Sequence, residues 1–75
     1  MLLLGKPGCL LCDDARAIVT EVLAEFPAAT FAERSILDDP DLMDAYAEEI
    51  PVVLIDGKVH TIWRVDPARL RKALS

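Results

Sequence analysis

Cys9 and Cys12 are the only cysteines of the chain, and they enclose two residues in the order Cys9-Leu10-Leu11-Cys12. Positions three apart share one face of a helix, with Cα atoms about 5 Å apart, a separation that a disulfide can bridge without moving the backbone. If a helix starts here, Cys9 lies beside its unpaired first amides. Such a site stabilises negative charge, so the Cys9 thiol is expected to ionise below its ordinary range. Lys6 adds a cation three residues earlier, whereas Asp13 and Asp14 oppose the thiolate as solvent-screened like charges. The chemistry that follows is thiol-disulfide exchange. Cys9, at the exposed end, attacks a substrate disulfide, and Cys12, one turn further in, resolves the mixed disulfide.

Other uses of the pair fare worse. As a staple, a bond closing two residues removes little chain entropy, and a reducing compartment would not keep it. Two inert core thiols would not need a strand-to-helix junction. A structural zinc site wants four ligands, and beyond this pair the chain offers one histidine, His60, and no second such motif. No metal is expected.

The elements that must position the pair can be read from the pattern of apolar residues. Met1 to Leu4 is wholly apolar, as a short buried strand would be, and Gly5 to Gly8 reads as the turn that closes it. From Leu11 to Phe26, Ala15, Ile18, Val19, Val22, Leu23 and Phe26 recur at helical spacing, and Pro27 ends the run. Thr30 to Ile36 alternates imperfectly as a second strand. Asp39-Pro40 is a helix start, with Leu42, Met43 and Tyr46 facing inward, Asp41, Asp44 and Glu48 in water, and fraying expected before Pro51. Pro51 opens an apolar, β-branched strand from Val52 to Ile55. Asp56-Gly57 is a two-residue hairpin turn into Lys58 to Ile62, and Asp66-Pro67 starts a last helix whose inner face is Leu70, Ala73 and Leu74.

The order is βαβαββα. A helix between the first two strands makes them parallel through a right-handed crossover, and the last two strands form a hairpin. The resulting α/β architecture is a four-stranded mixed sheet with helices on both faces, in one domain spanning residues 1–75. The net charge of −5 and eight scattered Lys and Arg residues argue against nucleic acid as a partner. The apolar runs are far shorter than the roughly 20 residues of a membrane span, and no secretory leader opens the chain, so cytoplasmic residence is expected.

Two segments resemble glutaredoxin-like proteins: Lys6-Pro7-Gly8-Cys9-Leu10-Leu11-Cys12, and Ile50-Pro51-Val52-Val53-Leu54-Ile55-Asp56-Gly57-Lys58. Leu10-Leu11-Cys12-Asp13 resembles a short, divergent bacterial branch of that family. The resemblance implies a thioredoxin fold, a cis Ile50-Pro51 bond beside the cysteines, and Lys6, Ile50 and Pro51 as substrate-binding residues. It implies a monomeric oxidoreductase with no permanently bound cofactor. The partners would be a disulfide-containing protein or a low-molecular-weight thiol, with glutathione or a reductase as electron donor. Glutaredoxins carry a Gly-Gly pair after the hairpin, where this chain has Thr61-Ile62, and a Pro-Tyr between the cysteines, where it has Leu10-Leu11. Both departures count against glutathione binding. Two alternatives remain: a dimer sharing an iron-sulfur cluster through Cys9, and a redox-inert adaptor that binds a partner along a sheet edge. Of the remaining residues, Trp63 is expected to be a packing residue and His60 a surface or edge histidine. The acidic stretch Asp38 to Glu49 and the basic set Arg64, Arg69, Arg71 and Lys72 are expected to be solvated.

Overall fold

A computed structural model describes all 75 residues. Its elements are β1 (Leu2–Gly5), α1 (Leu10–Leu23), β2 (Ala32–Ser35), a single 3-10 turn over Ile36–Asp38, α2 (Pro40–Tyr46), β3 (Val52–Ile55), β4 (Lys58–Ile62) and α3 (Pro67–Leu74). The sheet runs β2-β1-β3-β4, with β1 and β2 parallel and the other two pairings antiparallel. This is the mixed α/β sheet expected from the element order.

Alternation along the central strands divides the core between the two faces of the sheet. Leu3 and Val53, paired across β1 and β3, join Ala15, Val19 and Val22 of α1 and Leu70 of α3 in one buried cluster. The next pair, Leu4 and Val52, faces the other way and packs with Ile36 and Ile50 and with Leu42, Met43 and Tyr46 of α2. Thus α1 and α3 cover one face and α2 the other. A one-residue slip of β1 against β3 would exchange these sets, so the register is held by burial on both sides.

The helix ends follow their caps. Asp39 accepts from the Asp41 amide at 2.9 Å, and Asp66 accepts from the Ala68 amide at 2.9 Å, each with proline in the first turn. Helix α1 stops at Leu23, three residues before the expected end. Glu25 and Phe26 donate to carbonyls only three residues back, Val22 and Leu23, because the residue before Pro27 is disfavoured in the α region. The second strand is also shorter than expected. It is an exposed edge whose Glu33 and Arg34 reach to opposite faces, and Ile36 turns inward from the 3-10 segment that Ser35 caps through its hydroxyl. Ala73, expected on the inner face of α3, is exposed. Leu70 and Leu74 alone carry that face, because three helical positions on from Leu70 the surface has already rotated to solvent.

Candidate functional site

Four strand ends meet at one edge of the sheet. The C-terminal ends of parallel β1 and β2 lie beside the start of β3 and the end of β4, since Leu4 pairs with Val52 and Val52 with Ile62. The segment from Gly5 to Cys12, the Ser35 turn, Ile50-Pro51 and Trp63 are therefore brought together by topology.

Cys9 is the N-cap of α1, with extended backbone at φ −95° and ψ 113°. Its carbonyl accepts from the Asp13 amide at 3.1 Å, and its Sγ accepts from the Cys12 amide at 3.2 Å. The Leu10 and Leu11 amides open the helix with no carbonyl one turn back, so the sulfur sits where α1 concentrates partial positive charge. The Cα atoms of Cys9 and Cys12 are 5.2 Å apart and the two sulfurs are in disulfide contact. Cys9 is half-buried, whereas Cys12 is only 1% exposed and packs with Leu4, Ile36, Ile50 and Val52.

Gly5 explains how Cys12 fits. A Cβ at Gly5 would lie 3.0 Å from Cys12 Sγ and 3.2 Å from its Cβ, so the last residue of β1 leaves the space that the sulfur occupies. The sequence pattern assigned Gly5 to the turn. It is in fact a buried strand residue, and the sole hint in the sequence was a glycine directly after an apolar run.

The Ile50–Pro51 peptide bond is cis in this structure, with both residues buried and Ile50 in the cluster that contains Cys12. Lys6 is exposed, forms no ion pair, and lines a shallow polar cleft toward β2 with Arg16, Glu33 and Arg34. In that cleft Arg16 grips Glu33 through two nitrogens, at 2.7 and 2.6 Å, and also reaches Asp13 at 3.0 Å. The guanidinium holds the Glu33 carboxyl below the usual carboxylate range, its hydrogen bonds outweighing the small desolvation cost. Asp13 is thus turned toward Arg16, which offsets part of its repulsion of a Cys9 thiolate.

Trp63 departs from the sequence expectation of a packing residue, being 54% exposed. Its backbone has φ 65°, unusual for a bulky side chain, and Arg64 donates to the Ile62 carbonyl at 2.9 Å, closing a three-residue turn around it. Its amide donates to the Pro51 carbonyl at 2.9 Å and its indole Nε1 donates to the Glu48 carbonyl at 3.0 Å. Both bonds end on the segment that leads into β3. Trp63 also lines a groove of about 320 Å3 with Leu11, Ile18 and Val65, and with the opposite charges of Asp14 and Arg64. His60, at the bulge where β4 slips against β3, has its pKa lowered by burial and by the charge of Arg69. No three His, Cys, Asp or Glu side chains come together as a metal cluster, and no helix is long and apolar enough to cross a membrane.

A family model for the glutaredoxin-like domain matches residues 1–75. The chain belongs to the glutaredoxin-like family. Among its relatives is an uncharacterized protein of Mycobacterium tuberculosis, Rv0508, 34% identical over 77 residues that cover 92% of this chain and 75% of that one. A second, from Dictyostelium discoideum, is named a glutaredoxin-like homolog of YDR286C and is 31% identical over 87% of this chain and 65% of its own. The X-ray structure of a structural-genomics target from X. campestris, XcR50, superposes with a TM-score of 0.72 at 33% identity, covering 97% of this chain and 92% of that one. A glutaredoxin-like chain with this sheet order and these helices has the thioredoxin fold.

Proposed function

We propose that this glutaredoxin-like protein is a thiol-disulfide oxidoreductase whose nucleophile is Cys9 and whose resolving thiol is Cys12. The observation that carries the proposal is the asymmetry of the pair. One sulfur is accessible at a helix N-terminus and accepts an amide hydrogen bond, while its partner is sealed behind it within bonding reach.

In the dithiol form the Cys9 thiolate attacks one sulfur of a substrate disulfide. The Cys9–substrate bond forms, the substrate S–S bond breaks, and the departing thiolate takes a proton from solvent. Cys12 loses its proton to solvent and attacks the Cys9 sulfur, expelling the second substrate thiolate and leaving the internal disulfide. Two electrons have then passed to the substrate, and an external thiol reductant, either glutathione or a reductase, returns them. Lys6 would draw an anionic group toward the polar cleft. The Ile50-Pro51 segment, packed in the same cluster as Cys12, would support an extended substrate beside the sulfurs. A reducing compartment such as the cytoplasm suits this direction of flow.

The test is turnover of a disulfide substrate by the wild type and two variants. Cys9→Ser should abolish turnover, and Cys12→Ser should accumulate a mixed disulfide through Cys9, visible by mass spectrometry. Equal residual activity in both variants would overturn the assigned roles. Supplying glutathione in one assay and thioredoxin reductase in another identifies the donor.

A further inference from the structure

We propose that Arg16 is a positioning residue for the Cys9 nucleophile: it holds the Asp13 carboxylate in an ion pair one helical turn from the sulfur, and so leaves the α1 N-terminus free to favour the thiolate. The proposal rests on Cys9 as the nucleophile and names what sets its ionisation.

The helix brings an opposing charge onto the side that bears Cys9. Asp13 follows four residues on, and its amide donates to the Cys9 carbonyl at 3.1 Å, so it lies one turn along the same side with Cβ atoms about 6 Å apart. A carboxylate there disfavours a thiolate. Asp14, the neighbouring acid, is rotated about 100° further around the helix and forms no ion pair, whereas Asp13 is met by Arg16 Nη1 at 3.0 Å. The pairing therefore falls on the acid whose charge bears on the sulfur.

Arg16 is fixed from a second element. Its Nε and Nη2 donate to the two oxygens of Glu33 on β2 at 2.7 and 2.6 Å, which leaves Nη1 for Asp13. The hydrogen bonds of Glu33 and then of Asp13 raise the Arg16 pKa, so the guanidinium stays charged wherever a thiol titrates. Arg16 itself stands seven residues, about 10 Å, beyond Cys9, which is one screening length in 0.1 M salt. Its direct pull on the sulfur is therefore weak, and its action runs through Asp13. The other ionisable groups on the segments packed around Cys9 are Lys6, Asp14, Tyr46 of α2, Arg64 after β4, and the Arg34–Asp39 pair, while β1 and β3 carry no charge and the α2 acids Asp41 and Asp44 are exposed to solvent. None of them bonds to the Cys9 sulfur, and all are unchanged in the variants below.

The test is the pH dependence of Cys9 alkylation by iodoacetamide, read by mass spectrometry on the reduced full chain in 0.1 M salt. Arg16→Gln should raise the alkylation midpoint by about 0.5 pH unit, an approximately threefold loss of thiolate on the acid side. In an Asp13→Asn background the same change should move it by less than about 0.2 unit, because the carboxylate that Arg16 holds is gone. Asp13→Asn alone leaves the contact between Arg16 and Glu33 in place and should lower the alkylation midpoint, a reading that does not depend on the folding of Arg16→Gln. Turnover of a disulfide substrate should follow: kcat/KM of Arg16→Gln about threefold below wild type at pH values under the alkylation midpoint, and no lower than wild type above it. An Arg16 that only ties α1 to β2 would change the denaturant midpoint and leave the alkylation profile where it was. That result, an equal shift by Arg16→Gln in both backgrounds, or an Asp13→Asn variant with no lowered alkylation midpoint would overturn the proposal. A wild type that reduces no disulfide would contradict the oxidoreductase function instead, and the alkylation titration would still decide the role of Arg16.

Discussion

Replacing Gly5 by alanine tests whether the buried sulfur is seated by the strand behind it. The added methyl would stand 3.0 Å from Cys12 Sγ, about 0.5 to 1 Å inside the separation at which carbon and sulfur attract. Neither side can retreat easily, since Gly5 is paired with Ser35 in β1–β2 and Cys12 is 1% exposed among core side chains. Overpacking of this kind costs about 1–3 kcal/mol. Gly5 does not have a positive φ, so alanine suits its backbone and returns about 0.4–1 kcal/mol through the unfolded chain. The net expectation is a loss of about 1–2 kcal/mol in the disulfide form.

In the dithiol form Cys12 Sγ is no longer tied to Cys9 and can rotate away, so the penalty should shrink by roughly half. That difference, about 1 kcal/mol, would move the two-electron potential about 20 mV toward easier reduction. Denaturant titration of both forms measures the first quantity, and equilibration in a thiol redox buffer measures the second. In a Cys12→Ala background, compared with reduced protein that keeps Cys12, the cost of Gly5→Ala should fall by most of its value, a recovery expected because the sulfur that the methyl meets is gone. Equal destabilisation of oxidised and reduced protein, or no recovery in the double variant, would show that Gly5 does not act through the Cys12 sulfur.

Three further outcomes are expected. Because the folded-state pKa of His60 is depressed, its neutral form is the one the fold accommodates, so its contribution is complete above about pH 6.5 and is lost as pH falls. His60→Gln should flatten the stability profile between pH 7 and 5, and an identical slope in the variant would count against it. Glu33 acts in the same sense in the acid range, below the ordinary carboxylate value of 4.5, and Glu33→Gln should remove that part of the acid sensitivity measured by denaturant midpoint. Asp66→Ala removes the acceptor of the Ala68 and Arg69 amides at the start of α3 and should cost about 1 kcal/mol in the same measurement, with no cost if water replaces the cap fully.

Local chemistry in the sequence determined the element order and the position of the reactive pair. Pro40 and Pro67 after aspartate caps, the Asp56-Gly57 turn with φ of 52° and 80°, and the helical spacing behind Cys12 are all effects of neighbouring residues, which a one-dimensional reading captures. The cysteine spacing likewise set a Cα separation near 5 Å independently of any tertiary contact. Tertiary structure decided what depends on residues distant in the chain. That Gly5 backs the Cys12 sulfur rather than forming a turn follows from the crossover that lays α1 over β1. That Trp63 stands half-exposed, latched to the Glu48 and Pro51 carbonyls, follows from the pairing of Ile62 with Val52. The sequence of Trp63 and its neighbours predicts packing, because hydrophobicity is a property of the residue whereas exposure is a property of what lies opposite. The same reason governs Asp13, which pairs with Arg16, itself held by Glu33 seventeen residues away.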